Sequence, residues 1–405
     1  MKVIYLNNWI SGSWQVQKIH ALELINAFEN QEGLQVFTYP KNNGLNISNK
    51  TDIWNKRILD SGKKIIKKFA FDFIRCKTEK LLENKTLLYI KNEIKYLNPD
   101  VILLRHNLVY FPMIDELLRF QVPIILEVNG LVKNDADAIN LVDPEAILEN
   151  EKKIVNQVDA LCCVSHNIGE SIKLMGVDPK KIFVVPNGVD PLKFHPHKKS
   201  AKLCKKYDLE GKIVIGYVGG FENNNSEGRD VISMLKAFQI AEKSTTIPIK
   251  LIMAGRMDVN FLKQVIKKLG IGNLVIFTGF IEHDKVPKVM NLIDIAVAPY
   301  FEKRLIDASP MKLFEYMAME KPVIIPGVGQ VSEIIDNMES GVLVEVENVL
   351  SLADALSMLI KNDKLREKIG KNARRLIKKK YTWEHNAMKI AEVCQLAFNS
   401  KTLQQ

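Results

Sequence analysis

What most constrains this chain is a sustained alternation of short apolar runs with segments of helical period. The runs Val3–Leu6, Val101–Arg105, Ile124–Val128, Ala160–Val164 and Ile182–Val185 are followed by a second set, Ile213–Val218, Lys250–Ala254, Leu274–Thr278, Ile295–Ala298 and Val323–Ile325. Most are apolar at successive positions, so both faces of each strand need cover, as in parallel strands flanked by helices. Helical periodicity fills the gaps at Val16–Phe28, Pro144–Val158, Asp230–Glu242, Asn260–Leu269, Met311–Met319 and Leu352–Ile360. This order predicts doubly wound α/β architecture. The alternation breaks once, over residues 186–209, where prolines, Asn187, Gly188 and a basic polar stretch read as a linker. A chain of 405 residues exceeds one ordinary core. Two Rossmann-like domains are therefore expected, 1–190 and 191–382, with an amphipathic segment 383–405 packing back on the first. Ligands of such sheets bind beyond the carboxyl ends of the strands, so the site is expected in a cleft between two facing sheets.

Composition narrows the function. No apolar run approaches the roughly 20 residues that span a bilayer, and the first strand starts at the N-terminus with no signal-peptide pattern. The five cysteines show no metal-ligand spacing, and Cys162 and Cys163 sit inside an apolar strand, which fits a reduced, cytoplasmic setting. The net charge of +10 is concentrated in two places. Residues 56–95 hold 12 Lys/Arg against 5 Asp/Glu, and residues 361–380 hold 10 against 2. Within the first, 62–75 mixes lysines with Ile65, Ile66, Phe69 and Phe73, the pattern of an interfacial helix at the inner membrane face; a solvated helix covering the sheet is the plainer alternative. No P-loop, complete GxGxxG, HExxH or GxSxG is present, against a P-loop NTPase, a dinucleotide dehydrogenase, a zincin or an α/β-hydrolase. Asp135 and Asp137 form a DxD triplet, too short a pattern to assign a metal; none is expected.

The segment Ala308–Ile324 carries the most chemistry. Ser309 suits a helix N-cap and Pro310 the first helical turn. A helix that starts there aims unpaired N–H groups at the ligand side, ready for a phosphate. Glu315 follows eight residues after Asp307, among Leu313, Phe314, Tyr316 and Met317. A carboxylate so placed suits sugar or ribose hydroxyls.

These landmarks, with others in the same order, resemble the glycosyltransferase family 4 enzymes, which are retaining and have the GT-B fold. Val185–Asp190 with Phe194 and Pro196 is similar to the family's interdomain motif, and Ile213–Gly219 to the strand opening its donor domain. Leu251–Gly255 and Val275–Phe280 resemble the next two strands, Ser309–Val323 the donor helix, and Glu333 with Gly341–Val344 the following helix and strand. Arg105 and Glu127–Gly130 are similar to a subset of the family. The resemblance implies that Glu315 holds the nucleotide ribose and that Asp307 faces the donor sugar. It further implies that Ser309, Pro310, Met311 and Lys312 present the phosphate-binding helix start. Phe280 and Ile281 would border the base, and Gly12 and Ser13 would approach the diphosphate. Gly219, Gly220, Gly255, Arg229 and Arg256 would complete the donor side.

The sequence departs from the family in three places. Gly220 and Glu227 stand where an Arg and a Lys are usual, so Arg229, Arg256, Lys303, Arg304 or Lys312 must supply the positive charge. Asn129 stands where an acceptor-side histidine is common, and the first motif acid is Asp. His20, Arg105, His106 and Glu127 are the remaining candidate polar groups of the N-terminal half. His20 fits a buried structural histidine as well as an acceptor contact. The implied activity is transfer of a hexose from a UDP- or GDP-sugar to a glycan, lipid-linked or protein acceptor, without nucleic acid or metal. A nucleotide-sugar epimerase or hydrolase, or an inactive GT-B subunit partnering another transferase, are the alternatives.

Overall fold

The computed structural model describes residues 1–7, 15–39, 86–107, 113–132, 144–221 and 228–403. Gly12, Ser13, the Asp135/Asp137 pair, Glu227 and the segment 62–75 lie outside them. The chain divides into two compact units. The first comprises residues 1–163, 171–183 and 387–405, and the second residues 164–170 and 184–386.

The first unit is built on a six-stranded sheet of β1 (Lys2–Leu6), β2 (Gln35–Tyr39), β3 (Val101–Arg105), β4 (Ile124–Val128), β5 (Ala160–Cys163) and β6 (Ile182–Val184). Its order is β2-β1-β3-β4-β5-β6, and β1 pairs in parallel with both β2 and β3. The direction of winding therefore reverses between β1 and β3, which makes that gap the switch point of the sheet. β3, β4 and β5 are buried at every position, whereas the edge strand β2 is exposed or half-buried throughout. That explains why β2 escapes a search for continuous apolar runs: an edge strand needs fewer apolar residues. In β5 both cysteines are buried, and burial pushes the Cys163 thiol up to about 12. They are core residues with no reactive thiolate.

The second unit holds β7 (Ile213–Val218), β8 (Ile249–Ala254), β9 (Val275–Gly279), β10 (Ile295–Val297), β11 (Val323–Pro326) and β12 (Val342–Val344). The order is β12-β11-β10-β7-β8-β9, with β10 parallel to both β7 and β11. Its switch point lies between β7 and β10. Helices cover both faces, burying one cluster around Met290, Ile293, Phe314 and Met317 and another around Met234, Phe238, Leu262 and Leu356. Sequence-local caps set the helix starts: Asp230, Asp258, Asn348 and Asn362 each accept the backbone N–H three residues on. Residues 186–209 are more than a linker. Ser200 caps a short helix, Ala201–Lys206, and Val189 bridges to Thr382, so the stretch is part of the second unit's body.

Candidate functional site

In the second unit the carboxyl ends of β7, β8, β9 and β10 bring most of the donor-side candidates together. β7 leads into Gly219 and β8 into Gly255. Gly219 N–H donates to Ala254 O (2.7 Å), and Gly255 N–H to Gly279 O (2.9 Å), so the three strand ends are laced by backbone. Gly255 has φ +135°, and a Cβ there would collide with the Gly219 carbonyl. A Cβ on Gly219 would in turn strike the Lys312 ammonium. Glycine at both positions is thus a packing requirement.

Lys312 lies in the first turn of the helix Met311–Ala318. Its Nζ sits 4.6 Å from the centroid of the Tyr217 ring, a cation–π contact that holds the charge against the Gly219 backbone. Tyr217 Oη donates to Gly220 O (2.7 Å), and Arg229 Nη1 donates to the same carbonyl (3.3 Å). The helix is tied to β7 from its far side, where Tyr316 Oη accepts Val218 N–H at 2.7 Å. Lys312 and Arg229 therefore flank the loop whose usual basic pair is missing. Of the other candidate cations, Arg256 lies over the Phe280 ring, 4.8 Å from its centroid, and Phe280 is half exposed. Lys303 and Arg304 are exposed on the short helix Glu302–Leu305.

The helix start differs from expectation. Pro310 is the cap residue (φ −76°, ψ 104°) and no side chain caps the helix. Ser309 is not the N-cap: its Oγ accepts Asn187 N–H (3.4 Å) and its carbonyl accepts Asn187 Nδ2–H (3.0 Å). The reason is tertiary, since Asn187 engages both oxygens of Ser309 and turns them from the helix. The first-turn amides are then left without a side-chain cap. Asp307 is half-buried just ahead of this turn.

Glu315, 12% exposed at its side chain, accepts from His283 Nε2 at 2.9 Å through Oε1. His283 follows Phe280 and Ile281 in the loop after β9, and its Nδ1 lies 3.1 Å from Lys193 Nζ. Sequence reasoning overlooked His283 and Lys193. The available signal was a histidine in the loop after β9, the edge strand of the second sheet, ambiguous without knowing that this loop meets the helix Met311–Ala318.

In the first unit, Tyr5, Arg105, Glu127 and His20 form a buried cluster. Tyr5 Oη donates to Glu127 Oε2 (2.6 Å), and Arg105 Nη1 lies 2.8 Å from His20 Nδ1 and 3.4 Å from Glu127 Oε1. Asn129 Nδ2 donates to Glu127 Oε1 at 2.9 Å, while its buried Oδ1 has no hydrogen-bond partner among the described residues. Burial pushes the Glu127 carboxyl up, but the Arg105 guanidinium, His20 and the two hydrogen bonds outweigh it and hold the carboxyl below the usual range. His106 is separate: its side chain is 1% exposed and its Nε2 lies 2.8 Å from Glu151 Oε1, which also accepts Val132 N–H. The structure thus gathers His20, Arg105, Glu127 and Asn129, and seats His106 on a buried carboxylate next to them.

Two parallel doubly wound sheets, one with a cationic glycine turn at its switch point, define the GT-B class of fold. A crystallised Anabaena protein, HepE in complex with UDP, superposes with a TM-score of 0.69 at 16% identity, covering 98% of this chain and 100% of that one. The "Glycosyltransferase Family 4" model matches residues 20–192 and the "Glycosyl transferases group 1" model residues 201–376. The chain belongs to the group 1 glycosyltransferases. Among curated relatives, an uncharacterized glycosyltransferase of Methanocaldococcus jannaschii is 24% identical over 276 residues, 66% of this chain. A putative teichuronic acid biosynthesis glycosyltransferase of Bacillus subtilis is 29% identical over 182 residues, 44% of this chain. The matches span 66% and 43% of those relatives' own lengths.

Proposed function

We propose that this enzyme transfers a hexose from a UDP- or GDP-sugar to a hydroxyl of a glycan, lipid-linked or protein acceptor, with retention at the anomeric carbon. The observation that carries the reading is the Lys312 ammonium held over Gly219 at the switch point of the second sheet, in the first turn of an uncapped helix. A diphosphate seated there meets one fixed positive charge and the first-turn N–H groups, in place of the basic pair the loop lacks. In the reaction the bond from the anomeric carbon to the diphosphate oxygen breaks and a bond to the acceptor oxygen forms. The acceptor proton passes to an oxygen of the departing diphosphate, which takes the bonding pair and the negative charge, and there preorganised donors count most. Glu315 would take the ribose hydroxyls and Asp307 those of the sugar. A polysaccharide product agrees with the teichuronic acid biosynthesis for which the Bacillus subtilis relative is named. An anionic membrane as the seat of the acceptor rests on the sequence of 62–75 alone. Among the described residues no helix is long and apolar enough to cross a membrane.

Thermal denaturation with UDP, GDP, ADP and their sugars tests the donor, because a ligand bound only by the native state raises its stability. One nucleotide family should raise Tm and the others should not; no shift with any of them would remove the donor assignment. Lys312→Met should weaken nucleoside diphosphate binding about ten- to a hundredfold, as expected for losing one charge-assisted bond. Titration calorimetry reads this directly, and an unchanged Kd would shift the diphosphate role to Arg229 or Arg256. Transfer is also proposed to need no metal, because the helix start and Lys312 supply the positive charge. Activity should survive excess EDTA, and a loss that Mn²⁺ restores would refute this and return attention to Asp135 and Asp137.

A further inference from the structure

We infer that His283 is a positioning residue for Glu315, set in one tautomer by Lys193, so that a Lys193–His283–Glu315 chain aims the carboxylate at the ligand. This rests on the reading of Glu315 as a donor contact. The geometry begins in the segment after β6. Asp190 Oδ1 accepts the backbone N–H groups of Leu192 (2.7 Å) and Lys193 (3.2 Å), a local turn that fixes where Lys193 departs. Lys193 then reaches two groups of the loop after β9, His283 Nδ1 at 3.1 Å and Asp284 Oδ1 at 3.0 Å. An ammonium only donates, so Nδ1 must accept and the ring proton must reside on Nε2. Nε2–H then donates to Glu315 Oε1 at 2.9 Å. The Phe194 ring, 5.3 Å from the imidazole centroid, keeps the ring from turning.

Each link therefore has one direction of donation, and it ends on a single carboxylate oxygen. Glu315 Oε1 already accepts from His283, and the carboxylate keeps further lone pairs, two of them on Oε2, to accept ligand hydroxyls. A glutamate side chain has three rotatable bonds, and freezing them before the ligand arrives removes an entropy cost from binding. His283 thereby acts on affinity for the part of the ligand that Glu315 touches, and less on the chemical step.

The test uses the full chain, with UDP as probe, or GDP if thermal shifts select it, alongside the 2′,3′-dideoxy form of the same nucleotide. His283→Leu removes the donor, His283→Gln keeps an N–H near the place of Nε2, and Glu315→Gln is the reference. His283→Leu should weaken binding of the ribonucleotide about tenfold, raise the donor KM more than it lowers kcat, and scarcely change binding of the dideoxy form. His283→Gln should restore most of the loss. If Glu315→Gln binds UDP as the unaltered enzyme does, the donor reading of Glu315 falls and this inference with it. If Glu315→Gln is weakened while His283→Leu is not, the inference alone is overturned. Equal losses for both His283 variants, or equal losses on both nucleotide forms, would make His283 a packing residue and overturn it as well.

Discussion

Glu315→Ala should reduce kcat/KM for the donor by about a hundredfold or more while leaving the protein folded. The carboxylate is offered to ribose hydroxyls, and each charge-assisted hydrogen bond contributes about 1.5–3 kcal/mol. Two such bonds lost together exceed about 2.7 kcal/mol, which is a hundredfold. The substitution also leaves His283 Nε2 without the carboxylate it donates to, so the site loses a negative charge. Folding should be spared. Glu315 is already partly exposed, its neighbours Phe314 and Tyr316 carry the packing, and alanine is a good helix former. Donor kinetics measured beside ligand-free Tm separate the two effects. A Tm close to that of the unaltered enzyme with undiminished turnover would remove Glu315 from the site.

The second large effect is on stability. Arg105→Met should destabilise the first unit by about 3–5 kcal/mol at neutral pH, because it strands the Glu127 carboxylate in a buried site. Against total stabilities of about 5–15 kcal/mol, that is a major fraction. The pH dependence identifies the cause. In the unaltered protein the folded-state pKa of Glu127 is depressed. Its contribution is therefore present above the unfolded carboxyl pKa and is lost as pH falls through the lower folded value. Without Arg105, burial dominates and the carboxyl should titrate above its unfolded value. The variant then loses stability as pH rises through the unfolded value, and the gap between the two proteins narrows toward acid pH. Adding Glu127→Gln should recover part of the loss, since it removes the stranded charge. Denaturant titrations between acid and neutral pH measure all three. A gap that is independent of pH, or a double variant no better than Arg105→Met, would show that packing and not charge sets the cost.

Part of the proposed donor site was legible in the sequence, and part came only from tertiary contacts. Glu315 was legible from residue type and spacing, because a polar residue in an otherwise apolar helix is a local signal, whereas Gly219, Gly255 and Lys312 entered only through the family resemblance. Ser309 was legible as a helix-start residue, yet its role changed. Capping is a competition between partners, and Asn187, 122 residues away in sequence, engages both its oxygens. His283 and Lys193 were illegible for the same reason: each acquires its meaning from a contact made across 32 or 90 residues of chain.

By itself, the order of apolar runs determined two parallel α/β sheets and the strands that form their centres. Burial on both faces makes such strands near-continuous apolar runs, and their alternation with helical segments marks parallel strands flanked by helices. It did not reveal β2, whose half-exposed edge position asks little of its sequence, nor that residues 164–170 join the second unit, where Gln330 donates to Val164 O and Asn167 to Ile306 O. Only the tertiary structure decided where positive charge stands at the switch point. Lysines and arginines are abundant along this chain, and a flexible cation carries no sequence mark of its target. Lys312 is singled out because Tyr217 offers its ring face and Gly219 offers the space a side chain would have filled.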